Sequence, residues 1–454
     1  MAEDPGRRLA TAGVGAPERR TRFGGAGSLE LAALGTGLVL AALGMAALPD
    51  WIRQLLAFQC LFIVAFALYA GTLARLPRLA ARPRAGAIVL IVAVMVRLAL
   101  WATTPSLSDD VYRYVWEGRV LAHGGDPWAR APLDPALAPL RDARVFPRVN
   151  HPQLATIYPP LAEAGFALVA ALSPTVAAMK LWVILHDIAL IVLLMRGLGR
   201  ERAAWAVVYA WNPLVWVEYA GSAHNDPTAM IWLAASLLAL RRRPTLSALA
   251  LCAGAMVKLA PLAVLPFLWR RWPPRPRALA AVLLAAGLGT FAWLTRGANS
   301  GLHAYWASWR NNALVFDLVE RATGSARAAR AVGFAALVAV VLVAIARGWG
   351  AVRGARATLK AGLLVSPVAH PWYQGWYLML EPFAPSAPWI LLSGTAILSY
   401  GVLAAPPEGL NFHLPLAWRA VEYGVPAALA AVAGSRSRGA ARDGSTPGED
   451  DTDV

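Results

Sequence analysis

A short stretch after a long apolar run carries a dense set of reactive side chains. The segment from Pro105 to Arg119 reads PSLSDDVYRYVWEGR and holds two adjacent aspartates, three aromatic residues and two arginines. A carboxylate at the water interface just beyond a transmembrane helix can stay ionised and still reach a lipid-borne substrate. The segment is therefore predicted to form the edge of an active site.

The composition predicts the setting of this segment. The chain has 454 residues, of which 58% are hydrophobic and 15% charged, and apolar runs recur along its length. This indicates an integral membrane protein of many helices. The net charge of +16 reflects arginines in short segments between apolar runs and at both termini, which is typical of cytoplasmic loops and argues against nucleic acid as a partner. Cys60 and Cys252 lie inside apolar runs, so we expect neither a disulfide nor a thiolate metal site.

The arginine-rich segments also predict the domain organisation. Residues 1–27 are expected to form a disordered, basic cytoplasmic tail, residues 28–434 a single transmembrane catalytic domain, and residues 435–454 a second disordered cytoplasmic tail. A signal peptide is the competing interpretation of the first apolar run. A retained anchor is favoured because a second apolar run follows almost at once.

The apolar runs predict an all-α polytopic bundle with about 12 to 13 spans. The polar, proline-rich residues 104–158 are expected to form a large external loop after the third span. Between Tyr158 and Arg196 an odd number of crossings has to fit, so one of the two apolar runs there is tilted or re-entrant. The apolar segments lie near 28–48, 54–73, 85–103, 159–173, 177–197, 203–219, 226–240, 245–269, 277–296, 328–346, 388–404 and 416–434.

Lys258 is a charged residue within the apolar run MVKLAPLAVL. Facing lipid at mid-depth would cost about 3 kcal/mol, so the side chain is expected to face a polar cavity or a carboxylate. Snorkelling and a purely structural ion pair are the alternatives to a role at a phosphate. Arginines flank residues 245–269 at both ends, which favours a re-entrant pair of half-helices broken at Lys258 and Pro261.

Two histidine-containing segments suggest a metal site at first sight. His224, Asn225 and Asp226 are consecutive, and His370 is followed by Glu381. Metal sites need several converging ligands, and the typical HxxxH and HExxH spacings do not occur in this sequence. We therefore expect no metal and no other cofactor.

Six motifs occur in order along the chain: SDDVYRYVWEGR, GGDPW, NHPQLATIYPPLAE, YAWNPLVWVEYAGSAHNDP, MVKLAPLAVLPF and SPVAHPWYQGWYLM. Taken together, these motifs resemble the GT-C superfamily of membrane glycosyltransferases, and within it the bacterial mannosyltransferases that use polyprenyl-phosphate-linked sugar. The resemblance covers roughly residues 85–404. One departure is that two spans, near 28–48 and 54–73, precede the span that leads to the acidic loop, where many members have that one span alone, which implies an extra N-terminal hairpin.

The resemblance implies a catalytic acidic residue in the first large external loop, often four residues before a tyrosine. Asp110 and Tyr114 have that spacing, so Asp110 is the first choice and Asp109 the second. The alternative is that both aspartates cap the helix that follows. A glycosyl phosphate has a good leaving group, so one base and nearby cations suffice, and attack from the opposite face inverts the anomeric centre.

Other polar residues in the motifs are candidate ligands of the donor or the acceptor. Arginines at a membrane interface also anchor headgroups, a lone histidine is often held by a backbone carbonyl, and aromatic pairs also form interface belts. Candidates for the donor phosphate are Lys258, His370, Arg113 and Arg119. Candidates for substrate binding are Tyr114, Asn150, His151, Tyr158, His224, Asn225, Asp226, Trp372 and Tyr373.

The sequence thus predicts a hexosyltransferase, with mannose as the expected sugar, that uses a polyprenyl-phosphate donor and a lipid-linked or cell-envelope glycan acceptor. We expect it in the bacterial plasma membrane, with both termini cytoplasmic and the active site at the external face. The alternative is a transporter or flippase of a lipid-linked glycan. Such a protein would be expected to show a continuous polar path and internal symmetry, and no repeat of fixed period is found. A structural scaffold gives no reason for Asp110 or Lys258.

Overall fold

The computed structural model describes residues 24–82, 84–404, 411–412 and 414–442. The predicted N-terminal tail lies outside this range up to residue 23, and the predicted C-terminal tail does so from residue 443. Among the described residues, nearly all regular structure is helical, as the sequence predicts. The last helix runs on to Arg442, eight residues past the predicted end of the membrane domain at residue 434.

Three long helices begin the fold, and they match the first three predicted spans. They are α1 (Gly24–Ala46), α2 (Leu55–Leu79) and α3 (Ala85–Trp101). Each is apolar, so each buries one face against its neighbours and leaves leucines and isoleucines exposed on the other, as a bilayer requires. Arg97 of α3 is an exception: it is fully buried and bonds to Asp187 at 2.6 Å, which removes the cost of an unpaired charge at that depth.

The predicted loop after α3 contains a helix of its own, α4 (Asp110–Ala122), followed by short 3₁₀ turns at Pro135–Leu140 and Phe146–Arg148. Helix α5 (Pro160–Leu172) then packs closely along α4. The contact requires a glycine, because a Cβ added at Gly118 would lie 2.3 Å from the carbonyl oxygen of Phe166. The α4–α5 pair lies at the C-terminal end of α3.

The crossing left open between Tyr158 and Arg196 is made by the long helix α6 (Val176–Arg202). Lys180, near its start, donates to the carbonyl oxygens of Leu100 and Thr103 at the far end of α3. Helix α6 therefore begins where α3 ends and runs back along it. Because α5 pairs with α4 at that same end, a single crossing fits the segment, and the predicted apolar run 159–173 does not make it.

The predicted span at 203–219 is not one helix. It is a buried series made of a 3₁₀ turn, α7 (Val207–Ala210), α8 (Pro213–Trp216) and a π-helical turn at Val217–Gly221. Asn212 and Pro213 interrupt it, since proline fits a first helical turn and not an interior. Such irregular backbone at depth is tolerated because the protein buries it continuously from Ala206 to Gly221.

Residues 245–269, which are expected to form a re-entrant pair of half-helices, follow α9 (Asp226–Ala239) and double back on themselves. Helices α9 and α10 (Pro244–Val257) pack side by side, and Lys258 then adopts an extended conformation that ends α10. A 3₁₀ turn at Ala260–Val264 and α11 (Leu265–Trp269) lead the chain back. Trp272 Nε1 donates to Ser247 Oγ at 2.9 Å, so the return arm ends beside the start of α10, and the break falls at Lys258 as predicted.

The remaining elements complete the bundle and close over the α4 end of it. A two-residue parallel pairing of β1 with β2 ties the chain after α13 to the chain before the last helix. The apolar core is continuous and includes buried residues from α1 to the segment after α18. The elements are α12 (Pro274–Leu294), α13 (Gly301–Ser308), β1 (Arg310–Asn311), α14 (Leu314–Thr323), α15 (Ala326–Ala346), α16 (Ala351–Val365), α17 (Gly375–Leu378), α18 (Ala387–Thr395), β2 (Asn411–Phe412) and α19 (Leu416–Arg442), with 3₁₀ turns at Pro371–Gln374 and Ala396–Ala404.

Five helices among the described residues are long and apolar enough to cross a membrane. Six further apolar helices are shorter, since breaks at prolines and polar residues divide them. Together they bear out the prediction of an all-α, multi-pass membrane protein. The five long helical segments are Gly27–Ala46, Leu55–Leu79, Val176–Ala210, Pro274–Leu294 and Ala326–Ala346.

Candidate active site

A cavity of about 290 Å³ lies where α4, the break at Lys258 and the segment before α17 meet. Its volume is near the lower end of the range for small-molecule sites. Its walls come from distant parts of the chain, so no local motif could contain it. The lining residues include Asp109, Asp110, Arg113, Tyr114, Asn150, His151, Tyr158, Lys258, Tyr305, Trp309, Asn311, His370, Trp372, Tyr373 and Tyr400.

Asp110 stands at the first turn of α4 and projects into this cavity. Its Oδ1 accepts a hydrogen bond from Asn150 Nδ2 at 2.7 Å, and 24% of its side chain is exposed. The pKa of Asp110 is raised because the surrounding protein keeps water away from the carboxyl, while the bond from Asn150 and the charge of Lys258 oppose that rise. The carboxyl is thus accessible, oriented and more basic than a free aspartate.

Asp109 lies beside it in a different environment. Its Oδ1 is 2.6 Å from Arg148 Nη2, and 45% of its side chain is exposed. Arg148 also bonds to the Tyr112 hydroxyl and lies over that ring at 4.1 Å. Asp109 occupies the N-cap position of α4, yet its side chain makes no capping bond. Of the two aspartates, Asp109 is engaged by an arginine and Asp110 is not.

The two arginines proposed as phosphate ligands are both engaged by the protein. Arg113 bonds to Glu117 at 2.7 Å and to the backbone oxygens of Asn150, His151 and Leu154, which holds the loop that carries Asn150 against α4. Arg119 pairs with Asp142 and does not line the cavity. The structure brings Arg113 to the site as a buried support and does not bring Arg119 there.

Lys258 faces both of the environments predicted for it, a polar cavity and a carboxylate. Its Nζ lies 2.7 Å from Asp226 Oδ1 and 4.9 Å from the centre of the Tyr373 ring, and 26% of the side chain is exposed. Asp226 is buried and also accepts from Trp376 Nε1 at 2.6 Å. The break that ends α10 is what places this cation at the cavity.

His370 lies on the same wall as a neutral imidazole. Burial lowers its pKa to about 3, and the charge of Lys258 acts in the same direction. Asn311 Nδ2 lies 2.5 Å from its Nδ1, and its ring stacks on Trp372 at 4.1 Å. With Nδ1 accepting from Asn311, the Nε2–H of His370 remains available as a donor.

The other predicted substrate contacts divide into two groups. Tyr114, Asn150, His151, Tyr158, Trp372 and Tyr373 line the cavity. The Tyr114 and Tyr158 hydroxyls are 3.4 Å apart, and Tyr373 meets the Tyr305 hydroxyl at 2.9 Å. His224, Asn225 and Asp226 lie behind the wall and are buried, so the structure places them as supports of the site.

Several cavity residues were not identified from the sequence. They are Tyr305 in α13, Trp309 just after it, Asn311 in β1 and Tyr400 in the 3₁₀ turn at Ala396–Ala404, and none of them lies in a recognisable motif. Within the described residues, no group of three or more His, Cys, Asp or Glu side chains is arranged to hold a metal ion. Independence from metal stays a prediction.

The family match adds an independent finding. A family model described as alpha-(1->6)-mannopyranosyltransferase, N-terminal domain, matches residues 21–274, more than half of the chain. The chain belongs to this family. It is therefore a mannosyltransferase of the GT-C type, and the resemblance inferred from its motifs is confirmed. Neither a curated protein nor a solved structure matches it.

The matched region of this mannosyltransferase contains Asp109, Asp110, the Asn150 loop and Lys258. The cavity walls at Tyr305, Asn311, His370 and Tyr400 lie beyond it. The region that defines the family thus supplies the carboxylate and the lysine, and the rest of the chain closes the cavity around them.

Proposed function

We propose that this mannosyltransferase moves mannose from a polyprenyl-phosphate carrier to a hydroxyl of a lipid-linked or cell-envelope glycan, with Asp110 as the base. The observation that carries the proposal is that one accessible carboxylate and one partly exposed cation line the same cavity: Asp110, whose side chain bonds to Asn150 rather than to an arginine, and Lys258.

The proposed reaction is a single displacement. Asp110 removes the proton from the acceptor hydroxyl, the hydroxyl oxygen forms a bond to the anomeric carbon, and the bond from that carbon to the phosphate oxygen breaks. The electron pair leaves with the phosphate, where Lys258 and the Nε2–H of His370 stabilise the charge. No general acid is needed because the departing phosphate is already a stable anion.

The stereochemistry follows from that arrangement. A single displacement inverts the anomeric centre. The family description specifies an α-(1→6) linkage, and we extend this linkage to the chain. An α product formed with inversion requires a β-linked donor, and the reacting hydroxyl is then the 6-hydroxyl of an acceptor sugar.

A lipid donor explains the position of the site. Asp110 follows directly on the end of α3, where an apolar carrier in the bilayer can bring its phosphate to the cavity. We place this end of the bundle at the external face of the plasma membrane. The short basic connections at Arg82, Arg242 and Arg353 are then cytoplasmic, as the positive-inside rule requires.

The donor assay tests the proposal directly. Membranes that carry the protein are incubated with radiolabelled polyprenyl-phosphate mannose or with a radiolabelled nucleotide-linked mannose, and the glycolipids are separated. Transfer from the lipid donor alone is expected, and membranes with Asp110→Asn should show none. Transfer from the nucleotide sugar alone would overturn the lipid-donor proposal.

The orientation has its own test. Single cysteines at Ala122, Ala138 and Arg353, all exposed, are introduced into a variant that lacks Cys60 and Cys252. A membrane-impermeant reagent applied to intact cells should label the first two and not the third. Labelling of Arg353→Cys alone would invert the topology and remove the reason for a lipid donor.

A further inference from the structure

Behind the cavity wall, a chain of polar side chains leads from the cavity-lining Tyr400 through two fully buried groups to Asp110. The Tyr400 hydroxyl bonds to Glu218 Oε1, and Glu218 Oε2 lies 3.0 Å from His224 Nδ1. His224 Nε2 lies 3.7 Å from Asp110 Oδ2. His224 has no exposed surface, and neither its two ring nitrogens nor Glu218 Oε2 makes a hydrogen bond of good geometry. A buried imidazole with both nitrogens in this state needs an explanation.

The backbone that carries these groups is irregular. Glu218 lies in the π-helical turn at Val217–Gly221, and Ala223 has a φ of 64°, a left-handed conformation that costs free energy for a residue with a Cβ. π-Helical turns are frequent at functional sites. The His224 ring is also fixed by stacking on Trp372 at 3.6 Å. The local fold therefore holds the imidazole edge towards Asp110.

The direction of the hydrogen bonds follows from charge. The side chains that contact the Glu218 carboxyl are those of Tyr400, His224 and Ser222, and none of the three carries a fixed positive charge. A carboxylate buried without a cation is costly, so Glu218 is expected to be the neutral acid. Its Oε1 then accepts from Tyr400 and its Oε2–H donates to His224 Nδ1. A neutral imidazole whose Nδ1 accepts carries its proton on Nε2, the nitrogen that faces Asp110.

We propose that Tyr400, Glu218 and His224 form a directed chain of donors whose last member, the Nε2–H of His224, holds the Asp110 carboxylate ionised and oriented for attack. This inference rests on the proposed role of Asp110 as the base. Glu218 and His224 are positioning residues, because they reach the reaction only through that carboxylate. For this role the 3.7 Å separation has to shorten on substrate binding, as catalytic hydrogen bonds do.

The chain acts alongside other charged and titratable groups. Asp110 also faces two kinds of group, the charged side chains of Asp109, Arg113 and Lys258 and the hydroxyls of Tyr114, Tyr158, Tyr305 and Tyr373. Glu218 also faces Asp226, and His224 also faces Lys258 and His370. Burial lowers the pKa of His224 well below its usual range, and Lys258 adds to this, which supports a neutral imidazole. Substitutions that leave these other groups in place therefore isolate the effect of the chain.

The test is the pH dependence of kcat/KM for transfer from polyprenyl-phosphate mannose. The base works only when ionised, so activity falls as the pH drops through the pKa of Asp110. Losing a donor to the ionised form raises that pKa, which moves this acid limb to higher pH. In His224→Phe, which keeps an aromatic ring on Trp372, we expect a shift of about one pH unit, equivalent to about a tenfold loss below the limb.

Substitutions at Glu218 test whether its side chain acts on His224 as a hydrogen-bond donor or as a negative charge. The Glu218→Met variant should shift the acid limb in the same direction as His224→Phe, because His224 loses the donor that fixes its tautomer. Glu218→Gln should restore the limb, since its amide can accept from Tyr400 and donate to Nδ1. His186→Asn is the matched control, because the His186 ring also lies against a tryptophan, Trp182, with ring centres 4.2 Å apart, but bonds within its own helix.

Each outcome bears on the inference separately from the proposed function. An unmoved acid limb in His224→Phe would overturn the inference. An acid limb in Glu218→Gln that differs from that of the wild type, in either direction, would overturn it as well. If Glu218→Met does not fold, His224→Phe and Glu218→Gln still decide. An active Asp110→Asn variant would instead refute the base itself, whatever the profiles show.

Discussion

Lys258 has two partners to consider, the phosphate of the donor and the carboxylate of Asp226. Replacing Lys258 with methionine, with and without a change at Asp226, separates their contributions to activity and to stability. Lys258 Nζ is 2.7 Å from Asp226 Oδ1, and the Asp226 side chain is only 1% exposed. Trp376 Nε1, at 2.6 Å, is the other donor to the same oxygen. Lys258→Met therefore leaves a buried carboxylate with a neutral donor as its remaining support.

The expected loss of stability follows from this geometry. Removing one partner of a buried ion pair costs about 3–5 kcal/mol, and the partial exposure of Lys258 places the loss near the lower end, about 3 kcal/mol. Adding Asp226→Asn removes the orphaned charge while the amide oxygen still accepts from Trp376. The double variant should recover most of the stability. Its kcat should stay about 100- to 1000-fold low, because no cation stabilises the leaving phosphate.

Thermal unfolding of the detergent-solubilised protein and the initial rate of mannosyl transfer measure the two effects. Lys258→Arg is the matched control that keeps a positive charge. Wild-type turnover by the Lys258→Met, Asp226→Asn double variant would refute the phosphate role. A Lys258→Met protein as stable as wild type would show that the ion pair with Asp226 contributes nothing.

Three further outcomes are expected. Asp110→Asn should retain donor binding and lose at least about 100-fold in transfer rate. Asp109→Asn loses only its pairing with an arginine and should keep most of the activity. The opposite ranking of the two variants would move the base to Asp109. Transfer should survive exhaustive chelation, because side-chain donors stabilise the leaving phosphate, and a loss that manganese or magnesium restores would contradict this. Gly118→Val should lower the unfolding temperature because a Cβ there meets the Phe166 carbonyl at 2.3 Å, while Gly289→Ala, with open space around it, should not.

The parts of the site that sequence could predict are those with a local signal. The position of Asp109 and Asp110 just beyond an apolar helix nominates the pair, and the family resemblance ranks Asp110 first. Lys258 is predictable because a charge within an apolar run needs a reason. The same reasoning applies to Glu218 in VWVEYAG, a carboxyl in an apolar run, and would have identified it.

Other features depend on contacts that no local pattern encodes. Asn311 reaches His370 across 59 residues and Tyr400 reaches Glu218 across 182, so their roles emerge only when the bundle closes. For a similar reason, the sequence does not show which of the two apolar runs between Tyr158 and Arg196 makes the crossing. Two apolar helices of different length look alike by composition, and only the pairing of α5 with α4 shows which of them spans the bundle.

Several irregular backbone segments of this protein lie at the candidate active site. The π-helical turn at Val217–Gly221, the extended Lys258 and the strand-like residues before His370 all meet the cavity or its supporting wall. Their backbone groups are paired: the His224 amide donates to the Glu218 carbonyl at 3.1 Å, and the Ala369 amide to the Asn311 carbonyl at 2.8 Å. Satisfied in this way, a broken helix can remain at depth. A regular helix would turn Lys258 and Glu218 to fixed faces, whereas a break lets each meet a partner from another segment. The loss of helical periodicity at these points is therefore a direct consequence of building a polar cavity inside an apolar bundle.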